Sequence, residues 1–426
     1  MAVRKSVPVQ VTSFANPEKL SDSEALYNFG LQRKIMLVCG IWPVEDSLER
    51  RWYLKSLIVI NLVVLALCIV GEFLHGLNAY RDGNLNEVIE SICPTVARIS
   101  AFFRIVFYVA NEKKIRRVLS DIDHAIRNQH PRERVITERV AYVGQCFTYC
   151  LFLMMFFAAL LYGVTPFLIM AYSWHQGQTP LMKLLPFKLA LPYDSQDTLF
   201  FVLTTLFLNY ASVPTITSQG SDALFSGVCL YVQGQLKGIK LDMEALATSE
   251  FGRSFGEDLL RADSLETRHV NRELRRISVR HQQIIELIDD VRTAFSPNVL
   301  LVYTGTALII CIVCIAMLIV EGLYKLTYLP YAVAELVLLF LCSYSGTIIR
   351  DSSEAIQTVA YNFPWYRYNR DTRHLIQMMM IRAQYGSNLD VPFFETSMAT
   401  FSTMARESSG HRAPSFPARI ETAREL

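Results

Sequence analysis

The stretch "SYSGTIIRDSSEAIQTVAYNFPWY", Ser343 to Tyr366, leaves an apolar run, crosses a charged and hydroxylated patch, and ends in an aromatic knot. Arg350, Asp351 and Glu354 arrive together, too polar for lipid. Ile349, Ile356, Val359 and Phe363 still keep an apolar stripe near helical spacing. The pattern predicts a helix that runs out of a membrane span and packs on other helices below it. Pro364 makes further helix costly, because it lacks an N–H and its ring clashes with the preceding turn. Tyr361, Phe363, Trp365 and Tyr366 can then bury a large area on neighbouring elements as an aromatic plug.

That reading needs a membrane, and the composition supplies one. Apolar residues make up 52% of the 426-residue chain and charged residues 19%, against roughly 25% charged in soluble domains. The net charge of +2 implies no nucleic-acid partner. Nine cysteines lie in or beside apolar runs without histidines at zinc spacing, so they are expected as small buried hydrophobes, not metal ligands. No zincin motif, nucleophile elbow or phosphate loop occurs. No enzyme, catalytic residue, metal or cofactor is expected. The start "MAVRKSVPVQ" is no signal peptide, and no N-x-S/T sequon is present, so no large disulfide-linked ectodomain is expected.

A spanning helix takes about 20 mostly apolar residues. The first span is Ser56–Gly71, with Lys55 and Glu72 placed to snorkel at its ends. The third is Val140–Trp174, and the fourth runs from Thr198 past Asp222 towards Leu236. The fifth is Ser296–Val320, and the sixth is Leu326–Ile349, interrupted by Glu335. The second, Val88–Ala110, carries Glu90, Arg98 and Arg104. Each such charge costs roughly 2.5–3.5 kcal/mol on insertion scales, so these should face protein or water. Lysine and arginine crowd 1–53, 111–139 and 237–295 and are sparse in the alternate connections, which predicts a cytosolic N-terminus. G-protein-coupled receptors have the opposite orientation, and their D-R-Y and N-P-x-x-Y motifs are missing.

Within 237–295, Leu274, Ile277, His281, Ile284, Ile288, Val291 and Phe295 recur at spacings of three and four, a heptad seam. Two readings stand side by side: a helix packed on its own chain, or a subunit interface formed by Leu274, Ile277, Ile284, Ile288 and Val291. His281 is expected as a buried, hydrogen-bonded core histidine.

Gly346, Ser353, Tyr361, Trp365 and Tyr366, at G-x6-S-x7-Y-x3-W-Y, resemble the C-terminal signature of insect odorant receptors. The following "LIQMMMIRAQYGSNLDVPFFETSMATF" is similar to that family's approach to its last helix. The resemblance implies an all-α, seven-helix subunit of a tetrameric, odour-gated, non-selective cation channel. It implies a divergent tuning receptor assembled with a shared co-receptor, since the co-receptor's longer cytosolic insertion is missing. It also implies a small volatile hydrophobic ligand, a place in the plasma membrane of olfactory neuron dendrites, and a cytosolic anchor domain holding the subunits together. The T-Y-x5-Q-F ending of the related gustatory receptors is not found.

The expected organisation is a cytosolic segment over 1–53, spans one to four over 54–236, and an anchor connection over 237–295. Spans five and six follow over 296–349, then a cytosolic part of helix seven with its linker over 350–390. A short final-span candidate covers 391–404 and a polar tail 405–426. That final candidate offers about 14 residues, roughly 21 Å of helix against a hydrocarbon core of about 30 Å. The expectation is that this chain alone gives no odour-evoked current.

For the ligand, the outer halves of the spans offer Tyr162, Tyr210, Tyr331 and Glu335 as pocket candidates. Tyr172, Trp174 and Tyr328 lie near span ends, where aromatic residues anchor at the interface. Arg98 or Arg104 could pair with Glu335 or with Glu90. The competing reading is a secondary transporter with Glu335, Arg98 and Asp222 as its path, but no similarity between halves supports it.

Overall fold

The computed structural model describes residues 29–43, 48–129, 131–177, 183–193, 196–248, 265–319, 325–384, 386–391 and 396–408. The helices in chain order are α1 Gly30–Cys39, α2 Leu48–Arg81, α3 Leu85–Ala110, α4 Glu112–Arg127, α5 Pro131–His175 and α6 Thr198–Thr217. There follow α7 Gly220–Thr248, α8 Leu265–Ile319, α9 Lys325–Asn362, α10 Arg370–Gln384 and α11 Met398–Ser408. A 3₁₀ turn at Trp365–Arg367 joins α9 to α10. Among the described residues, six stretches are long and apolar enough to cross a membrane: α2, α3, α5, the α6–α7 pair, α8 and α9.

The spans and the connections next to them form continuous rods. The expected boundaries at 236/237, 295/296 and 349/350 fall inside α7, α8 and α9, and none interrupts a helix. At 55 residues, α8 extends about 80 Å at 1.5 Å per residue, more than twice a hydrocarbon core. Its basic half must therefore project beyond the bilayer, and α7 and α9 project with it at this basic end. The fourth span does break, where the sequence reads as continuous. With Pro214 in its last turn, α6 ends at Thr217, Ser218 and Gln219 turn, and α7 restarts at Gly220. A Cβ on Gly220 would lie 2.8 Å from Met36 Cγ, so only glycine lets α7 start this close to α1.

At the basic end α7 is the central post. It is buried on nearly every face from Gly220 to Gly238, because α1, α5, α8 and α9 surround it. The heptad seam of α8 packs into the same core. Leu274, Ile277, Ile284, Ile288 and Val291 are all buried, against α4, α7, α9 and α10 of the same chain. The seam is thus filled intramolecularly, and its residues are not free to meet another subunit. His281 is buried as expected, but its Nε2 has no hydrogen-bond partner.

The helix expected from Ser343 onward is α9, and it stops at Asn362, before Pro364. The aromatic knot divides in two. Phe363 and Tyr368 are buried and stacked, with ring centroids 5.6 Å apart. Tyr361 and Tyr366 are exposed, and Trp365 is 36% exposed, so these three do not form the expected buried plug. Five cysteines are buried; Cys146, Cys150, Cys311 and Cys314 are exposed on span surfaces instead. Of the final-span candidate 391–404, residues 398–404 lie in α11, which reaches back to α8 and α9 and is not among the six membrane-length stretches, while 392–395 lie outside the described residues. Residues 1–28 and most of the polar tail, 409–426, lie outside the described residues.

Candidate functional site

A cavity lies where α3, α5, α6, α8 and α9 converge. Met155, Ala158, Ala159 and Tyr162 of α5, Ile216 of α6 and Ile309 of α8 give it a mostly apolar wall. Ser100 and Arg104 of α3, Gln219 and Glu335 supply polar groups. Its volume is about 80 Å³ of space for the centre of a water molecule. At roughly 10–15 Å³ per water on that measure, five or more waters fit, the size of a small organic molecule.

Buried charges frame this space, and each has a partner on another element. Arg98 pairs with Glu72 of α2, which also accepts from Thr95 Oγ1 at 3.4 Å. Arg104 pairs with Asp222 at the start of α7, 3.3 Å away. Glu335 accepts from Thr306 Oγ1 of α8 at 3.2 Å, and the Tyr331 hydroxyl one turn earlier also interacts with it. A single buried charge in lipid is costly, whereas a pair holds two helices at a fixed distance. The second span therefore survives three charges by spending two of them on helix–helix ties.

The connection after α5 closes the cavity from the far end. Phe187 stacks on Tyr162 with centroids 5.7 Å apart and lies under the Arg98 guanidinium, 4.3 Å from its carbon. Lys188 reaches Glu90 at 2.8 Å, and the Ala190 N–H donates to the Gly71 carbonyl at 2.9 Å. Leu189 lies against Gly71, where a Cβ would come within 2.9 Å of it. Backbone, charge and packing all pin this loop as a lid.

Of the residues singled out from the sequence, Tyr162, Tyr331 and Glu335 line the cavity together. Tyr210 does not; its hydroxyl donates to Asn61 Oδ1 of α2 at 2.9 Å. Tyr172 and Trp174 are exposed, but Tyr328 is buried edge-on against Tyr162, not at an interface. Arg98 and Arg104 both line the cavity, yet neither forms an ion pair with Glu335 or Glu90. Glu72 is fully buried and does not snorkel. Arg98 itself was the available signal, since a buried cation requires an acid nearby. Phe187 carried no signal, because a lone aromatic in a connection has no periodicity.

These features sit within a recognisable sequence. A family model described as 7tm odorant receptor matches residues 84–408. The chain belongs to the 7tm odorant receptor family. The match spans every residue that lines the cavity, whereas Glu72 lies before it. Odorant receptor 22c of Drosophila melanogaster is 26% identical over 85% of this chain and 90% of its own length. Odorant receptor 10a of the same fly is 23% identical over 90% of this chain and 94% of its own. The fold of this odorant receptor is similar to that of the insect olfactory receptor OR5 from Machilis hrabei. That structure aligns with a TM-score of 0.71 at 13% identity, covering 91% of this chain and 97% of that one. The all-helical membrane receptor expected from the C-terminal signature is thus the fold observed.

Proposed function

We propose that this receptor is the ligand-binding tuning subunit of a heteromeric odour-gated, non-selective cation channel. It would assemble with a shared co-receptor in the plasma membrane of olfactory neuron dendrites, with its basic end in the cytosol. The supporting observation is the lidded, largely apolar cavity, whose few polar side chains suit a small volatile molecule. The OR5 receptor is also known in complex with eugenol. The transporter reading is not favoured, because Arg98 and Asp222 are each held by a fixed partner and form no open path.

One helix carries the signal in this reading. Tyr331 and Glu335 line the cavity, and eleven residues further along α9 Gly346 touches the Thr396 carbonyl just before α11. A shift of α9 on ligand entry would move the final helix directly. Ala159→Leu tests the site by filling the cavity. With the co-receptor present, odour-evoked current should need at least tenfold more ligand while surface level is unchanged. An unchanged dose–response curve would place the ligand elsewhere.

A further inference from the structure

The cavity holds three polar atoms that the protein itself leaves unused. Arg104 Nη2, Ser100 Oγ and Gln219 Oε1 are buried with no hydrogen-bond partner, and all three residues line the cavity. Their side chains are at least nine-tenths buried, with Arg104 3%, Gln219 4% and Ser100 6% exposed. Ser100 and Arg104 lie one turn apart on the same face of α3. The Arg104–Asp222 pair draws the turn containing Gln219 against that face. Gly305 of α8 keeps room for the serine, since a Cβ there would come within 3.1 Å of Ser100 Oγ. Buried polar groups are almost always satisfied, so three open ones on one wall mark a missing partner.

We propose that this wall selects neutral oxygenated ligands, with a carbonyl or hydroxyl oxygen accepting from Arg104 and Ser100 and a hydroxyl able to donate to Gln219. The apolar remainder of the ligand lies against Tyr162, Phe187 and Ile309. The inference rests on the reading of this cavity as the odour site and narrows its chemical class. A hydrocarbon of the same shape would leave the three atoms unpaired and desolvated, the condition under which polar sites discriminate best. An ammonium ligand has only donors to offer and would meet two guanidinium groups. The cavity's own acid, Glu335, is already engaged by the charge of Arg104 and by hydrogen bonds with Thr306 and Tyr331. A carboxylate ligand would add a negative charge beside Glu335.

The test uses the full receptor co-expressed with the co-receptor and matched sets built on two skeletons. The phenyl set is ethylbenzene, acetophenone, 1-phenylethanol and 1-phenylethylamine; the chain set is octane, 2-octanone, 1-octanol and octylamine. In at least one set the ketone or alcohol should act at concentrations tenfold or more below the hydrocarbon and the amine. The gap should shrink at least threefold in Ser100→Ala and in Gln219→Met, both close in volume to the originals. Arg104→Lys serves as a second variant that keeps the charge opposite Asp222. A hydrocarbon or amine preference, or an unchanged gap in variants at normal surface level, overturns the proposed selectivity while the odour site stands. Silence to every compound from this receptor, and equally from one given an apolar ending after Met404, each present at the surface with its co-receptor, overturns the odour-site reading itself.

Discussion

At the scale of single residues, two side positions far from the cavity report on the packing of the basic end. His281 is buried between α8 and α10, and burial, with a smaller contribution from Arg382, lowers its pKa from 6.5 to about 4. The unfolded histidine binds a proton at higher pH than the folded one. Its neutral burial is therefore fully favourable above about pH 6.5, and that stability is lost as pH falls towards 4. By pH 5 the loss is about 2 kcal/mol. Hydrogen exchange of α8 and α10 should speed up between pH 7.5 and pH 5 in the native receptor, and much less in His281→Leu. Equal acceleration in both would assign the effect to other groups. Gly346 is sensitive for a steric reason. A Cβ there would run into the Thr396 carbonyl and lie 2.7 Å from Thr396 Cγ2. Since Thr396 is held by its own bond to the Leu389 carbonyl at 2.8 Å, it has little room to yield. Overpacking of this kind costs about 1–3 kcal/mol, so Gly346→Ala should lower thermal stability in detergent and reduce current. A variant with wild-type melting and current would show that α9 and α11 separate freely.

At the scale of elements, the end of α9 shows what a sequence can and cannot tell. The alternation of apolar and charged residues after Ser343 was enough to predict the helix, and Pro364 its end. Which aromatic rings turn inward depends on the 3₁₀ turn at Trp365–Arg367, a three-residue detail with no period to read. Phe363 and Tyr368 therefore carry the packing, while Tyr361 and Tyr366 remain exposed. Phe363→Ala should cost about 3–5 kcal/mol and cut the total yield of folded receptor. Tyr361→Ala with Tyr366→Ala should leave single-chain stability within about 0.5 kcal/mol per site, as surface changes do. The same double variant should lower recovery with the co-receptor if this face is where subunits meet. Comparing the two by melting and by co-purification separates core from contact; parallel losses in both assays would erase the distinction. The α8 seam was legible in the same partial way. Spacing identified the buried face of Leu274 to Val291, but a heptad pattern does not say whose surface covers it, and here it is the chain's own.

At the scale of the whole molecule, uncharged runs and basic connections carried the all-helical membrane fold, because hydropathy is additive along a chain. The cavity depended on pairings that are not. Arg98 and Arg104 announced that the second span faces protein, yet Glu72 and Asp222 could be matched to them only once α2 and α7 were in place. Those two pairs fasten α3 to α2 and to α7, and they set up the last prediction. Removing one member of a buried pair leaves an uncompensated charge and costs about 3–5 kcal/mol, while replacing both by apolar residues is often neutral. Arg104→Leu and Asp222→Leu should each reduce surface delivery and melting temperature, and the double variant should recover most of both. If the double variant is as poor as the sum of the singles, the charges act independently and the tie is not what holds α3. Recovery would also separate two roles of one arginine. The doubly substituted receptor, folded again, lacks the guanidinium that faces the cavity, so it should reach the surface while its preference for a ketone over the matching hydrocarbon shrinks at least threefold.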